Sequence, residues 1–218
     1  PFDVSMTISG ASDQLDATRE ALAGNYIVAV VIIYLLLVAI FTNWGYPLLI
    51  MTAIPLGVAG GLVGLALMNL VGAILPQFGV APIIQPFDMI TMLGFLILMG
   101  TVVNNPILIV DRALYNLREM GLDAKEAVME AVSSRLRPIA MSTVTTICGL
   151  APLVFIPGAG TELYRGVGAI VLFGILSTAI ITLTFLPALS ITVFRLAGYG
   201  AKANAKRGRI EASPAAGE

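Results

Sequence analysis

MITMLGFLILMGTVVNNPILIVD, residues 89–111, is apolar enough to cross a bilayer, yet it carries two adjacent amides, Asn104 and Asn105, followed by Pro106. Hydrocarbon holds no water to satisfy an amide or a freed carbonyl, so such groups face protein or a polar cavity. Pro106 has no N–H to give the carbonyl of Val102, which weakens the helix there. The span reads as the inner helix of a bundle, with the other apolar segments packed around it.

Four more segments of similar character flank it. Residues 21–41 contain the uncharged run IVAVVIIYLLLVAIF. About 20 residues at 1.5 Å each cover a hydrocarbon core of ~30 Å. Thr42 to Gly45 is a turn, and Trp44 and Tyr46 suit the membrane interface. Residues 46–70 follow, kinked at Pro55. Gly57, Gly60, Gly61 and Gly64 form two offset small-xxx-small pairs, which suit close helix packing. Residues 71–87 are an apolar link without a charge, and Asp88 is placed to cap the helix that follows.

Beyond Asp111 the character changes. Residues 112–137 are charged, with apolar residues near helical spacing, and predict one or two amphipathic surface helices broken at Gly121. Pro138 opens a span over 138–157, since the first helical N–H groups are unpaired anyway. Ser142, Thr145 and Thr146 share one face of it by i, i+3, i+4 spacing. In a membrane helix such hydroxyls often bond their own backbone. Residues 158–166, GAGTELYRG, read as a polar hairpin. The last span covers 167–194, and the basic, Ala- and Gly-rich tail 196–218 reads as disordered.

The composition agrees. The chain is 58% hydrophobic and 11% charged, against roughly 25% charged in an ordinary soluble domain. The expected fold is therefore all-α, a polytopic membrane helix bundle with five transmembrane helices. The lipid bilayer is its first partner. There is no basic patch interleaved with aromatics, so no nucleic-acid partner is expected. The lone Cys148 permits no disulfide within the chain. With no histidine, His-based metal sites and Ser–His or Cys–His dyads are excluded. No span has a carboxylate at its centre and GxSxG is absent, so no enzyme, cofactor or metal site is expected.

Lys and Arg set the orientation. Arg112, Arg118, Lys125, Arg135 and Arg137 lie in the charged interval, and Arg195, Lys202, Lys206, Arg207 and Arg209 in the tail, against Arg19 and Arg165 on the other side. Interval and tail are placed in the cytoplasm and residues 1–20 outside. Those residues alternate at Phe2, Val4, Met6 and Ile8, as a short strand would, with Ser12 as a candidate cap for the helix that follows. Pro1 follows no initiator methionine or signal sequence, and the odd span number suggests missing partners. The stretch reads as a piece of a longer chain.

Several runs together resemble a known family. GTVVNNPILIVDRA, then RLRPIAMSTVTTICGLAPLVFIPGAGTELYRGVG, then FLPAL resemble the C-terminal membrane half of resistance-nodulation-division efflux permeases. YLLLVAIFTNWGYPLLIMTAIPLGVAGGLVGL fits the two helices before them. The resemblance covers about residues 1–195 and implies that the spans are the last five of twelve helices. Residues 1–20 would end a large periplasmic segment. It implies a proton antiporter of the bacterial inner membrane, exporting small hydrophobic or amphiphilic compounds. It further implies a homotrimer that works with a missing N-terminal half, a periplasmic adaptor and an outer-membrane channel. Asn104 stands where well-known drug pumps of the family carry a proton-coupling lysine, and a neutral amide cannot form a lysine's ion pair. Ser142 matches a relay hydroxyl, and Arg135 an arginine near the cytoplasmic exit.

A non-transporting module of related ancestry, for lipid sensing or assembly, is the alternative, in which the amides serve packing alone. Asn104 and Asn105 lie about 100° apart on a regular helix. Asn104 is expected to face the missing half, and Asn105 the hydroxyl-bearing span.

Overall fold

A computed structural model describes residues 11–74, 76, 84–156, 158 and 160–197, with residues 11–22 described by backbone alone. The strand expected at Phe2–Ile8 and the tail beyond Ala197 lie outside these residues. The helices are α1 (Ala11–Phe41), α2 (Gly45–Met51), α3 (Ala53–Ile74), α4 (Met89–Val102), α5 (Asn104–Arg118), α6 (Ala124–Phe155) and α7 (Thr161–Leu196). Among the described residues, five stretches are long and apolar enough to cross a membrane: α1 from Ala23, α2 with α3, α4 with α5, α6, and α7. Helix α1 begins at Ala11, one residue before the candidate cap Ser12.

Two of the spans are broken by proline at the same offset. Pro106 deprives Val102 of a hydrogen-bond donor, and Pro55 does the same to Met51. Each helix divides three residues before its proline, at Val103 and at Thr52, and both residues keep right-handed backbone angles. The axis therefore bends without unwinding. Asp88 caps α4 as expected, its carboxylate accepting from the Thr91 N–H at 2.8 Å. Asn69 and Gln85 exchange two hydrogen bonds, of 3.0 and 2.9 Å, and tie the end of α3 to the approach to α4.

Pro138 and Pro152 do not break α6, which runs unbroken for 32 residues. Pro138 thus lies inside a helix and does not open one. The charged interval forms the ends of two long helices, with no separate surface helix between them. Their hairpin turns at Gly121, whose φ of 64° is left-handed and costs glycine little. Asp123 caps α6. Similarly, α7 starts at Thr161, so most of the expected polar hairpin is helix.

The turns of α6 ahead of its prolines are held by burial. Ile109, Val110 and Ala113 of α5 pack on Ala124, Ala127, Val128 and Ala131 of α6, all fully buried. The small alanines let the two backbones approach. Asn116 is also fully buried. Its Nδ2 donates to the Ala127 carbonyl at 3.1 Å and to the Glu130 carboxylate. Glu130 also pairs with Arg112 at 3.4 Å. Asn116→Ala should therefore lower the stability of the hairpin by about 1–3 kcal/mol, because Ala127 and Glu130 lose a buried donor. The thermal midpoint of the full-length protein, compared with that of Lys125→Ala, checks this.

The central helix of the described bundle is α7, not the span that carries the Asn pair. Helix α7 packs along α3, α6 and α4. Helices α4 and α5 touch every other span but leave one face open, where Leu93, Ile97, Thr101 and Asn104 are exposed. Glycine accounts for the central place of α7. Cβ atoms at Gly57, Gly60, Gly61 and Gly64 would each run into α7: into Thr178 (2.7 Å), Ser177, the Ile170 carbonyl (3.0 Å) and Phe173, respectively. Without side chains there, α3 and α7 come together over two turns, the small-residue packing typical of membrane helices.

Candidate functional site

The polar centre lies where α4 gives way to α5. The helix divides at Val103 (φ −70°, ψ −17°), and helical bonding resumes with Ile107 N–H donating to the Val103 carbonyl at 3.1 Å. Around this break is a cavity of about 390 Å³ whose lining includes Asn104, Asn105 and Ser142. Asn104 is exposed, whereas Asn105 is only 8% exposed. On a regular helix the two amides would diverge. Here both reach one cavity, because it follows the broken turn from Gly100 to Ile107.

Helix α6 supplies the opposite wall. Ser142 Oγ donates to the Ile139 carbonyl at 3.0 Å, and Thr146 Oγ1 to the Ser142 carbonyl at 2.8 Å. Thr145 Oγ1 donates to the Met141 carbonyl at 2.8 Å but does not line the cavity. Of the expected hydroxyl face, two members therefore reach the site, and all three bond their own helix.

Thr143 lines the cavity as well, and spacing passes over it because it falls outside the set built on Ser142. It is 7% exposed, and its Oγ1 has no hydrogen-bond partner among the described residues. The sequence signal was the density of hydroxyls over 142–146, which brings one toward a neighbour at any helix phase. Thr178 of α7 also reaches the cavity, and its Oγ1 donates to the Gly174 carbonyl at 2.7 Å. Nothing in the sequence of α7 singles it out from Ser177, Thr182, Thr184, Ser190 and Thr192.

Gly57 ties packing to site. A Cβ there would come within 2.7 Å of both Thr178 Oγ1 and Val102 Cγ2. Its absence lets α3 draw α7 and the end of α4 together beside the cavity. Arg135 stands apart from this group. It precedes Ser142 by seven residues, on the same face of α6 and about 10 Å along the axis. It does not line the cavity, and its buried Nε has no partner among the described residues.

No acid or base lines the cavity. Its polar surface consists of two neutral amides and five hydroxyls, those of Thr101, Ser142, Thr143, Thr146 and Thr178. Such a surface can hold water or a small ion and can reorient hydrogen bonds. It has no nucleophile–base pair.

Comparison with known proteins places this geometry in context. Residues 1–194 match the model of the AcrB/AcrD/AcrF family. The chain is 32% identical over 188 residues to the Swarming motility protein SwrC of Bacillus subtilis, covering 86% of this chain and 16% of that protein. It is 31% identical over 183 residues to the Multidrug resistance protein MdtF of Escherichia coli K12, covering 82% and 16%. It is 29% identical over 196 residues to the Multidrug resistance protein MdtC of Erwinia tasmaniensis, covering 90% and 18%. Among solved structures, the crystal structure of a heavy metal efflux pump superposes with a TM-score of 0.67 at 25% identity, over 89% of this chain and 18% of that one. The chain thus spans less than a fifth of the length of these relatives.

Proposed function

The chain belongs to the AcrB/AcrD/AcrF family, and from that premise we propose that it forms the C-terminal membrane half of an efflux permease of the resistance-nodulation-division type. The permease exports small hydrophobic or amphiphilic compounds across the bacterial inner membrane and is driven by proton entry. One observation supports this reading above the others: a polar cavity at a broken helix inside an otherwise apolar bundle. Polar groups at membrane depth are costly and mark ion or substrate paths. Transporters place such groups at interrupted helices.

In this reading Asn104 faces the N-terminal half of the parent protein, and the α5–α6 hairpin lies in the cytoplasm. Asn105, Ser142 and Thr143 hold water on the inner side of Asn104, and rearrangement at Val103 and Thr52 couples ion movement to tilting of the half-helices. Arg135 stands toward the cytoplasmic exit. The exporting unit is a homotrimer with an adaptor and an outer-membrane channel. The relatives named for multidrug resistance support the substrate class.

The direct test is retention of a fluorescent amphiphile in cells that express the full-length parent or lack it. Lower retention with the parent, reversed by a protonophore, is expected. Equal retention in both would remove the export reading and favour a non-transporting module. Orientation is checked with a membrane-impermeant thiol reagent on single cysteines at Ser133 and Thr161, which should label from opposite sides. Labelling of both from one side contradicts the topology.

A further inference from the structure

Arg165, near the start of α7, is only 6% exposed. Its Nε and Nη2 are buried without a hydrogen-bond partner, and no carboxylate among the described residues pairs with it. Nη1 is the guanidinium nitrogen that is not enclosed. A guanidinium keeps its charge in any protein environment. A buried charge is tolerated beside a counter-charge and is among the costliest groups in a fold without one.

Next to this charge runs an apolar groove of about 330 Å³, lined by Leu67, Met68 and Val71 of α3, Val154 and Phe155 of α6 and Phe173 of α7. Charge and groove share one side of α7. Arg165, Gly168, Ala169 and Leu172 follow i, i+3, i+4, i+7 spacing, and a Cβ at Gly168 would meet Leu153 at 3.0 Å and Val154 at 3.1 Å. The groove wall at Val154 thus lies about 4.5 Å deeper along the axis than Arg165. Helix α3 ends at Ile74 and α6 at Phe155, and α7 begins at Thr161. Arg165 therefore stands at the mouth of the groove, at the end of the bundle, the depth at which long basic side chains meet lipid headgroups. The groove also faces away from α4. Gly94 of α4 packs on Val167 and Ile170, and Val167 lies about 200° round the helix from Arg165. The open face of α4 and α5 that carries Asn104 is on the other side of α7.

We infer that this end of the bundle binds a glycerophospholipid, with its phosphate on the Arg165 guanidinium and an acyl chain along the groove between α3, α6 and α7. The phosphate supplies the counter-charge, and its oxygens suit guanidinium N–H donors. Leu67, Val71 and Phe155, all exposed, supply apolar contact for the chain. Neither half of the ligand suffices alone: free phosphate leaves the groove unused, and a neutral lipid leaves the charge unpaired. The site is separate from the amide-lined cavity and does not depend on the efflux reading. Bound lipid clamps the start of α7 to the ends of α3 and α6.

The test is thermal unfolding of the purified full-length parent, delipidated by detergent exchange and titrated with dioleoyl phosphatidylglycerol. Two parallel series use dioleoylglycerol, which has the same chains and no phosphate, and inorganic phosphate at constant ionic strength. A ligand that binds only the folded state raises the midpoint with its concentration. A saturable rise with the phospholipid, absent from both other series, is expected. Arg165→Met should raise the lipid concentration for half the effect by about tenfold or more, a loss of roughly 1.4 kcal/mol. Its midpoint without lipid should equal or exceed that of the unmodified protein, because an unpaired buried charge is gone. Val71→Phe narrows the groove and leaves the guanidinium in place, and should also weaken the lipid response several-fold. Val63→Phe, at an exposed position of α3 outside the groove, should respond as the unmodified protein.

An equal rise with dioleoylglycerol means that the phosphate is not read, and an equal rise with inorganic phosphate means a free anion site. Either result, or no rise with the phospholipid, overturns the lipid site. So does a lipid response that Arg165→Met or Val71→Phe leaves untouched. Loss of stability or folding by Arg165→Met without lipid assigns the guanidinium to another part of the parent protein and overturns it too. Export is measured separately. A parent that exports but ignores the phospholipid removes this site and leaves the efflux reading standing; one that responds to the phospholipid but does not export does the reverse.

Discussion

Asn104→Ala in the full-length parent should abolish gradient-driven export, by tenfold or more, while the protein accumulates to its usual level. Asn104 is exposed on α5, at the edge of the cavity. It makes no hydrogen bond within the described bundle that its loss would break, so folding of this half should be indifferent to it. What it offers is an amide, two donors and an acceptor, aimed at whatever the rest of the protein presents. Asn105→Ala is the internal comparison. Asn105 is buried and lines the cavity with the hydroxyls of α6; even a formed interhelical polar contact in a membrane is worth only about 0.6 kcal/mol on average and up to roughly 2. It should lower the thermal midpoint modestly and reduce export no more than a few-fold. Transport rates of the two variants at matched protein level separate the roles. Normal export by Asn104→Ala would show that the amide does not couple ion movement to transport.

Gly64→Leu should have the largest effect on folding. A Cβ at Gly64 would occupy the space of Phe173 Cβ and Cγ, which sit on the first atoms of a side chain and cannot swing away. Overpacking of a tight site costs about 1–3 kcal/mol for added methylenes, and four added carbons against a fixed ring lie beyond that range. Helix α3 must then separate from α7 and lose the contacts at Gly57, Gly60 and Gly61 together. The amount of protein in the membrane fraction should fall at least several-fold. Gly149→Ala is the control, because a Cβ there meets nothing within 4 Å. It should change stability by no more than about 0.5 kcal/mol. Unchanged accumulation of Gly64→Leu would mean that α3 and α7 are not held at this distance.

Much of the fold is legible in the sequence, because the decisive features are local. An apolar run of bilayer length announces a span. A proline announces a missing hydrogen bond, and Pro106 and Pro55 break their helices at the same offset. Asp88 stands where the first turn of α4 needs an acceptor.

Pro138 shows the limit of such local signs. The same missing bond is tolerated at exposed Pro138, in a helix whose preceding turns are packed on α5 through Ala124, Ala127 and Ala131, and no local pattern reports that packing. Which helix is central was also out of reach. The hydroxyls of α7, Ser177, Thr178, Thr182, Thr184, Ser190 and Thr192, are spread around the helix and mark no single face, so α7 could not be distinguished from α4 by periodicity. Thr143 was hidden for the opposite reason. It sits among four hydroxyls of nearly equal merit, and only the azimuth of α6 against α7 selects it. The amides were legible as a site because nothing else in the span is polar enough to compete. That both would reach one cavity depended on the broken turn.

The central claim is that the amide-lined cavity couples ion entry to export. Proteoliposomes of the full-length parent, loaded with a pH indicator and given an outward-to-inward proton gradient, test it most directly. Substrate should accelerate proton movement through the unmodified protein and leave it unchanged in Asn104→Ala. Substrate-stimulated proton flux of equal size in both, or none in either while export continues, would contradict the account.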